Sequence, residues 1–128
     1  MIRILLAEEY AMVRRGLRMR LALEQDIEVV GEANNGPQAL CLAQALAPDI
    51  VIMGVELPLM DGIEATRQLR ILAPETAVVI LSIRDDRETK TQAQAAGAAA
   101  FIDKQGGVAR LLAAIRRIAG DKERAPGT

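Results

Sequence analysis

Four points in this sequence carry side chains of types that do chemistry together. They are the acid pair Glu8-Glu9, the segment Gly54-Val55-Glu56, the hydroxyl of Ser82 and the ammonium of Lys104. Paired carboxylates offer hard oxygen ligands to a divalent cation, while a hydroxyl and an ammonium suit phosphoryl oxygens. Each also has a plainer reading: charge near a helix start for Glu8-Glu9, a turn or helix cap for Ser82, a surface lysine for Lys104. Their shared register favours a site. Each follows an apolar run, and strands of one parallel sheet would release all four at the same edge, where open α/β folds place their sites. At the centre of that edge stands Gly54, which has no side chain to do chemistry.

The runs themselves support such a sheet. Ile50 to Met53 is continuously apolar and bounded by Pro48-Asp49, the pattern of a strand buried on both faces. Ile2 to Ala7, Ile27 to Ala33, Ala77 to Leu81 and Ala99 to Ile102 are the other strand candidates. Between them, Met12 to Leu23 places Val13, Leu17 and Leu21 at helical spacing. Asn34-Asn35-Gly36-Pro37 combines turn chemistry with a helix start, and that helix runs to about Leu46. Asp61-Gly62-Ile63-Glu64 reads as a reciprocal capping box opening a helix to about Leu72. Asp85-Asp86 opens a polar, alanine-rich helix that stops at Gly97, and Val108, Leu111, Leu112, Ile115 and Ile118 line a last helix expected to end at Gly120. Five strands alternating with five helices imply a parallel sheet covered on both faces. The polar tail 121–128 reads as the start of a linker.

Composition narrows the function classes. A chain of 128 residues is about one domain, and 51% apolar against 2% aromatic requires a core of Ala, Leu, Ile, Val and Met. With 16 basic and 17 acidic side chains, nothing points to nucleic acid on this segment. The single Cys41 and the absence of histidine leave no nitrogen–sulfur zinc set, and Cys41 is expected to be a buried, inert thiol. No apolar stretch is long enough to span a membrane, and a cytoplasmic setting is expected. The turn after the first strand, Glu8-Glu9-Tyr10, lacks the glycines of a dinucleotide-binding fingerprint.

Read in order, Ile4-Leu5-Leu6-Ala7-Glu8-Glu9, Val13-Arg14-Arg15-Gly16-Leu17, Val29-Val30-Gly31-Glu32-Ala33, Leu57 to Glu64, Val79-Ile80-Leu81-Ser82 and Gly97 to Lys104 resemble the receiver domain of two-component response regulators, most closely the NarL/FixJ subfamily with its LuxR-type output domain. The resemblance covers residues 2 to 120. It implies a flavodoxin-like (βα)5 sheet of strand order 2-1-3-4-5, a receiver over 1–120, a linker from 121, and a helix-turn-helix DNA-binding domain beyond it. It implies Mg²⁺ at Glu8, Glu9 and the backbone carbonyl of Glu56, phosphate and switch roles for Ser82, Phe101 and Lys104, and structural roles for Pro58, Asp61 and Gly62.

Three departures qualify that inheritance. Glu-Glu replaces an acid pair that usually includes aspartate, Gln105 follows Lys104 where many receivers have proline, and Met53-Gly54-Val55 stands where Met-Asp-Val is usual. Phosphoryl transfer needs a carboxylate nucleophile at that point. The expectation is therefore an atypical receiver that escapes phosphorylation, binds Mg²⁺ weakly at most, and acts in signal transduction and transcription regulation through protein contacts. Its partners would be a second copy, its own effector domain, or a histidine kinase. Two alternatives stand beside it: an ordinary receiver whose acceptor was mutated or is replaced by Glu56, and a pseudo-receiver whose vacated pocket binds a small molecule. Without its central carboxylate, the site should let Lys104 pair with Glu8 or Glu9.

Overall fold

A computed structural model describes residues 1–84 and 86–123 of the chain. Strands β1 (Ile2–Ala7), β2 (Ile27–Ala33), β3 (Ile50–Gly54), β4 (Ala77–Ser82) and β5 (Ala100–Asp103) alternate with helices α1 (Ala11–Leu21), α2 (Gly36–Leu46), α3 (Gly62–Leu72), α4 (Arg87–Ala96) and α5 (Val108–Glu123). All neighbours pair in parallel, in the order β2-β1-β3-β4-β5, as expected.

Period-two alternation along the central strands divides the core into two layers. Leu5, Ala7, Val51, Met53, Val78 and Ile80 face α2, α3 and α4. Ile4, Leu6, Ile50, Ile52, Val79 and Leu81 face the α1 and α5 side, where Leu21, Leu111, Leu112, Ile115 and Ile118 complete the packing. Every residue of β3 is buried, which is why that segment reads as one unbroken apolar run.

Local chemistry sets the helix starts. Asn35 Oδ1 accepts from Gln38 N at 2.8 Å while Gln38 Oε1 accepts from Asn34 N at 2.8 Å, a reciprocal cap on α2. Asp61 Oδ1 accepts from Glu64 N at 2.8 Å, but Glu64 turns outward to Arg67, so only half of the expected box forms. Asp86 caps α4 through Thr89 N at 2.7 Å; Asp85 lies outside the described residues.

Two further expectations fail. Helix α5 passes through Gly120 and runs to Glu123. Gly120 is not among the glycines of positive φ, so it makes no left-handed cap, whereas Gly97, at φ 101°, does end α4. Lys122 Nζ donates to Asp49 O at 3.2 Å, tying the added turn to the start of β3. The remainder of the expected linker, 124–128, lies outside the described residues. Cys41 is exposed, because α2 buries the stripe Gly36, Ala39, Leu40 and Ala43 and position 41 falls off it.

An ion cluster joins α5 to the α1–β2 turn. Arg116 Nη2 donates to Glu24 Oε1 at 2.7 Å and to Asp26 Oδ1 at 2.9 Å, and Arg20 Nη1 donates to Glu24 Oε2 at 2.8 Å. Bonds from Arg20 and then Arg116 hold the Glu24 carboxyl below its usual range, and the bond from Arg116 does the same for Asp26. A depressed carboxyl stabilises the fold above its unfolded pKa, near pH 4, and that contribution fades as pH falls through the lower folded value. Arg116→Ala is therefore expected to lower the thermal midpoint at neutral pH, by little because the cluster is exposed, and to leave it unchanged below the folded carboxyl values, so that the acid side of a plot of midpoint against pH flattens.

Candidate functional site

The carboxyl ends of β1, β3, β4 and β5 open on a cleft of about 80 Å³ lined by Glu8, Tyr10, Gly54, Glu56, Ser82 and Lys104, among others. Parallel pairing brings these positions together across the whole chain. Glu8 N still donates to Ala33 O at 3.0 Å, so the residue after β1 remains pinned to the sheet edge while its side chain enters the cleft.

Glu8 is buried, and both of its carboxylate oxygens are engaged. Oε1 accepts from Lys104 Nζ at 2.6 Å, and Oε2 accepts from Glu9 N at 2.7 Å. Of the two acids that Lys104 was expected to choose between, it takes Glu8. Glu9 serves through its backbone. Arg14 Nη1 donates to Glu8 O at 2.7 Å and to Glu9 O at 3.0 Å, while its Nε donates to Glu32 Oε1 at 3.3 Å. One arginine thus holds the acidic turn in place from α1.

Gly54 closes β3 in register with Leu81 of β4. A Cβ added there would meet Ala7 O and Glu8 Oε2, each at 3.5 Å, which is ordinary contact. Glu56 is exposed and turns out to Arg84, whose Nε lies 3.3 Å from its Oε1. Ser82 is buried at the end of β4, and its Oγ accepts from Arg84 N at 2.9 Å, so it also fixes the following turn. Phe101, half-buried and in register with Ile80, packs against the α2–α4 layer. Lys104 begins a short 3-10 turn whose start is capped by Asp103 Oδ1 from Gln105 N at 2.9 Å.

The loop behind the cleft is held by backbone. Pro58 O accepts from Met60 N at 2.8 Å and from Gly36 N at 3.3 Å, and Gly62 N donates to Val55 O at 2.8 Å. Asp61 acts as the α3 cap, so Pro58, Asp61 and Gly62 build the frame rather than the chemistry.

Mg²⁺ fits this arrangement poorly. It requires near-octahedral oxygen coordination, yet both Glu8 oxygens are taken, and the described residues contain no group of three or more His, Cys, Asp or Glu able to hold a metal ion. A cation here would first have to displace Lys104.

Sequence reasoning overlooked Arg14 and Arg84. Arg14 carries a legible signal, since it lies three and seven residues before Leu17 and Leu21, on the side of α1 that faces the sheet. Arg84 has none, because its role arises only where the β3 and β4 loops meet. Arg14→Ala is expected to cost about 1–2 kcal/mol in urea unfolding and to broaden the Glu9 amide resonance, since charged donors to two carbonyls are lost.

A family model described as the response regulator receiver domain matches residues 4–116. The chain belongs to that family. It is 36% identical over 118 residues to the response regulator GacA of Pseudomonas aeruginosa, covering 92% of this chain and 55% of that one. It is 40% identical over 117 residues to the transcriptional regulatory protein LiaR of Bacillus subtilis, covering 91% and 55%. The crystal structure of a LuxR-family two-component response regulator from Aurantimonas sp. SI85-9A1 superposes with a TM-score of 0.88 at 33% identity, covering 92% of this chain and 85% of that one. The chain thus spans 55% of the length of these two curated relatives.

Proposed function

We propose that this chain is an atypical receiver, one that takes no phosphoryl group at the usual position and signals through protein contacts. The observation that carries this reading is Gly54 at the centre of the cleft, beside a Glu8–Lys104 pair that is already closed. Covalent capture of a phosphoryl group requires an oxygen nucleophile in line with the donor, and Gly54 has none. Ser82, Phe101 and Lys104 keep the switch positions of the family, whereas Glu8, at a metal-binding position of the family with Glu9 and the Glu56 carbonyl, is engaged by Lys104 and Glu9 N, which impairs a Mg²⁺ site. Nothing in the geometry favours Glu56 as a substitute acceptor, because its carboxylate lies in solvent beside Arg84. A small-molecule pseudo-receiver is also disfavoured, since about 80 Å³ falls well short of the 300 Å³ or so at the lower end of ligand pockets.

Acetyl phosphate with Mg²⁺, read by intact mass, tests the proposal. An unchanged mass is expected. Gain of one phosphoryl group would overturn it and make Glu56 the first position to map.

In a cytoplasmic, LuxR-type regulator, the receiver, with α5 running to Glu123, would precede a linker and a DNA-binding domain, a layout supported by relatives about twice as long. Output would then follow protein level or partner binding and would not require a histidine kinase. Self-association, or docking on the chain's own effector domain, has a candidate surface on α1. Met12, Gly16 and Met19 form an exposed stripe on the face opposite Leu21, and Met12 is 87% exposed. In an antiparallel pair of α1 helices, Gly16 would oppose Met19, small against large. Met19→Glu is expected to shift the chain toward monomer in light scattering.

A further inference from the structure

Glu8 reaches toward the place where a side chain on Gly54 would begin. Its Oε2 lies 3.5 Å from that point, its Oε1 lies 2.6 Å from Lys104 Nζ, and it is buried. The cleft beside Gly54 therefore contains a carboxylate, delivered by the neighbouring strand β1. We propose that Glu8 is a resident anion that fills the site from within, and that the Glu8–Lys104 pair is an internal latch closing the cleft to phosphate. The inference rests on reading Gly54 as the vacated acceptor position.

Three features support the latch. Both Glu8 oxygens are satisfied, Oε1 by Lys104 and Oε2 by Glu9 N, so the carboxylate is fixed rather than mobile. Arg14 anchors the backbone of the same residue through Glu8 O at 2.7 Å. The pair also joins positions 96 residues apart, linking the end of β1 to the turn after β5 across two intervening strands. Lys104 is consequently held by an internal charge and is not free to bind an external anion. The Cβ of a carboxylate introduced at position 54 would meet Glu8 Oε2 at ordinary contact distance, and its charge would share one ammonium with Glu8. Restoring the acceptor is thus a change in a site already occupied.

Titration with inorganic phosphate tests the latch, following the Lys104 side chain and the Ser82 amide by NMR in the parent chain and in Glu8→Gln. Glu8→Gln keeps the shape of the side chain and removes its charge. It is expected to bind phosphate at least about tenfold more tightly than the parent, the gain of one charge-assisted hydrogen bond. Adding Lys104→Met should abolish the gain. Glu8→Asp, shorter by one methylene, should give an intermediate gain and serves if Glu8→Gln folds poorly. Equal phosphate affinity in the parent and the Glu8 variants would overturn the inference. Phosphate titration reports only on the latch, whereas covalent phosphorylation of the parent by acetyl phosphate would instead overturn the reading of Gly54.

Discussion

Gly62→Ala is expected to destabilise the chain by about 3 kcal/mol or more, lowering the thermal midpoint by on the order of 10 °C. A Cβ at Gly62 would lie 1.9 Å from the carbonyl oxygen of Gly54 and 2.9 Å from Met53 Cγ. Backbone conformation is not the obstacle, since Gly62 is absent from the positive-φ glycines. The obstacle is proximity. The first turn of α3 sits directly on the end of β3, and Gly62 N reaches back to Val55 O at 2.8 Å. Because the opposing atoms are backbone, no rotamer change relieves the clash; α3 must move away from the strand that ends at the cleft. Gly36→Ala should behave similarly, as its Cβ would lie 2.3 Å from Met60 O. Gly16→Ala, with open space around it, is the control and should be neutral or slightly stabilising. Differential scanning fluorimetry separates the three, and a Gly62→Ala midpoint equal to that of Gly16→Ala would sink the close-packing account.

Where the sequence was readable, one periodicity dominated. Ile50–Met53 comes out within a residue of the observed β3, because a central parallel strand is apolar on both faces and ends abruptly in a polar turn. Helix ends were less legible. Gly97 and Gly120 look alike in sequence, but only Gly97 has the chain turning back into a strand, at φ 101°; Gly120 simply continues a helix held by tertiary contacts. Cys41 was misplaced for a related reason. The apolar character of a thiol says nothing about which face of α2 it occupies, and only the stripe set by Ala39, Leu40 and Ala43 decides that.

The candidate site follows the same division. Convergence of Glu8, Gly54, Ser82 and Lys104 is a property of strand order, so it could be foreseen from the alternation of elements. Which acid pairs with Lys104 could not, since adjacent residues in a turn diverge according to local hydrogen bonds. Glu9 N binds Glu8 Oε2 and thereby directs Glu8 inward. The outward turn of Glu56 depends on Arg84, which comes from a different loop. Contacts of that kind lie between elements and leave no mark on either segment alone.

Ile80→Ala is expected to cost about 3–4 kcal/mol, whereas Ile71→Ala should stay within about 0.5 kcal/mol. Both remove the same atoms, so most of the difference measures burial, with a smaller share from the preference of Ala for helix over strand. Ile80 is fully buried on β4, in register with Met53 on one side and Phe101 on the other; Ile71 is 78% exposed on α3. The cavity at position 80 would open inside the layer of Ala7, Met53, Leu69 and Ala93, where the main chain of the sheet cannot collapse to fill it. Because Met53 precedes Gly54 and Phe101 precedes Lys104 by three residues, the loosening should also reach the cleft. Urea unfolding gives the two energies, and the Lys104 side-chain resonance reports the second effect. Similar losses for both variants would show that the sheet is not sandwiched as described, while a large loss at Ile80 with an unmoved Lys104 signal would show that the Glu8–Lys104 pair holds the edge independently of the core beneath it.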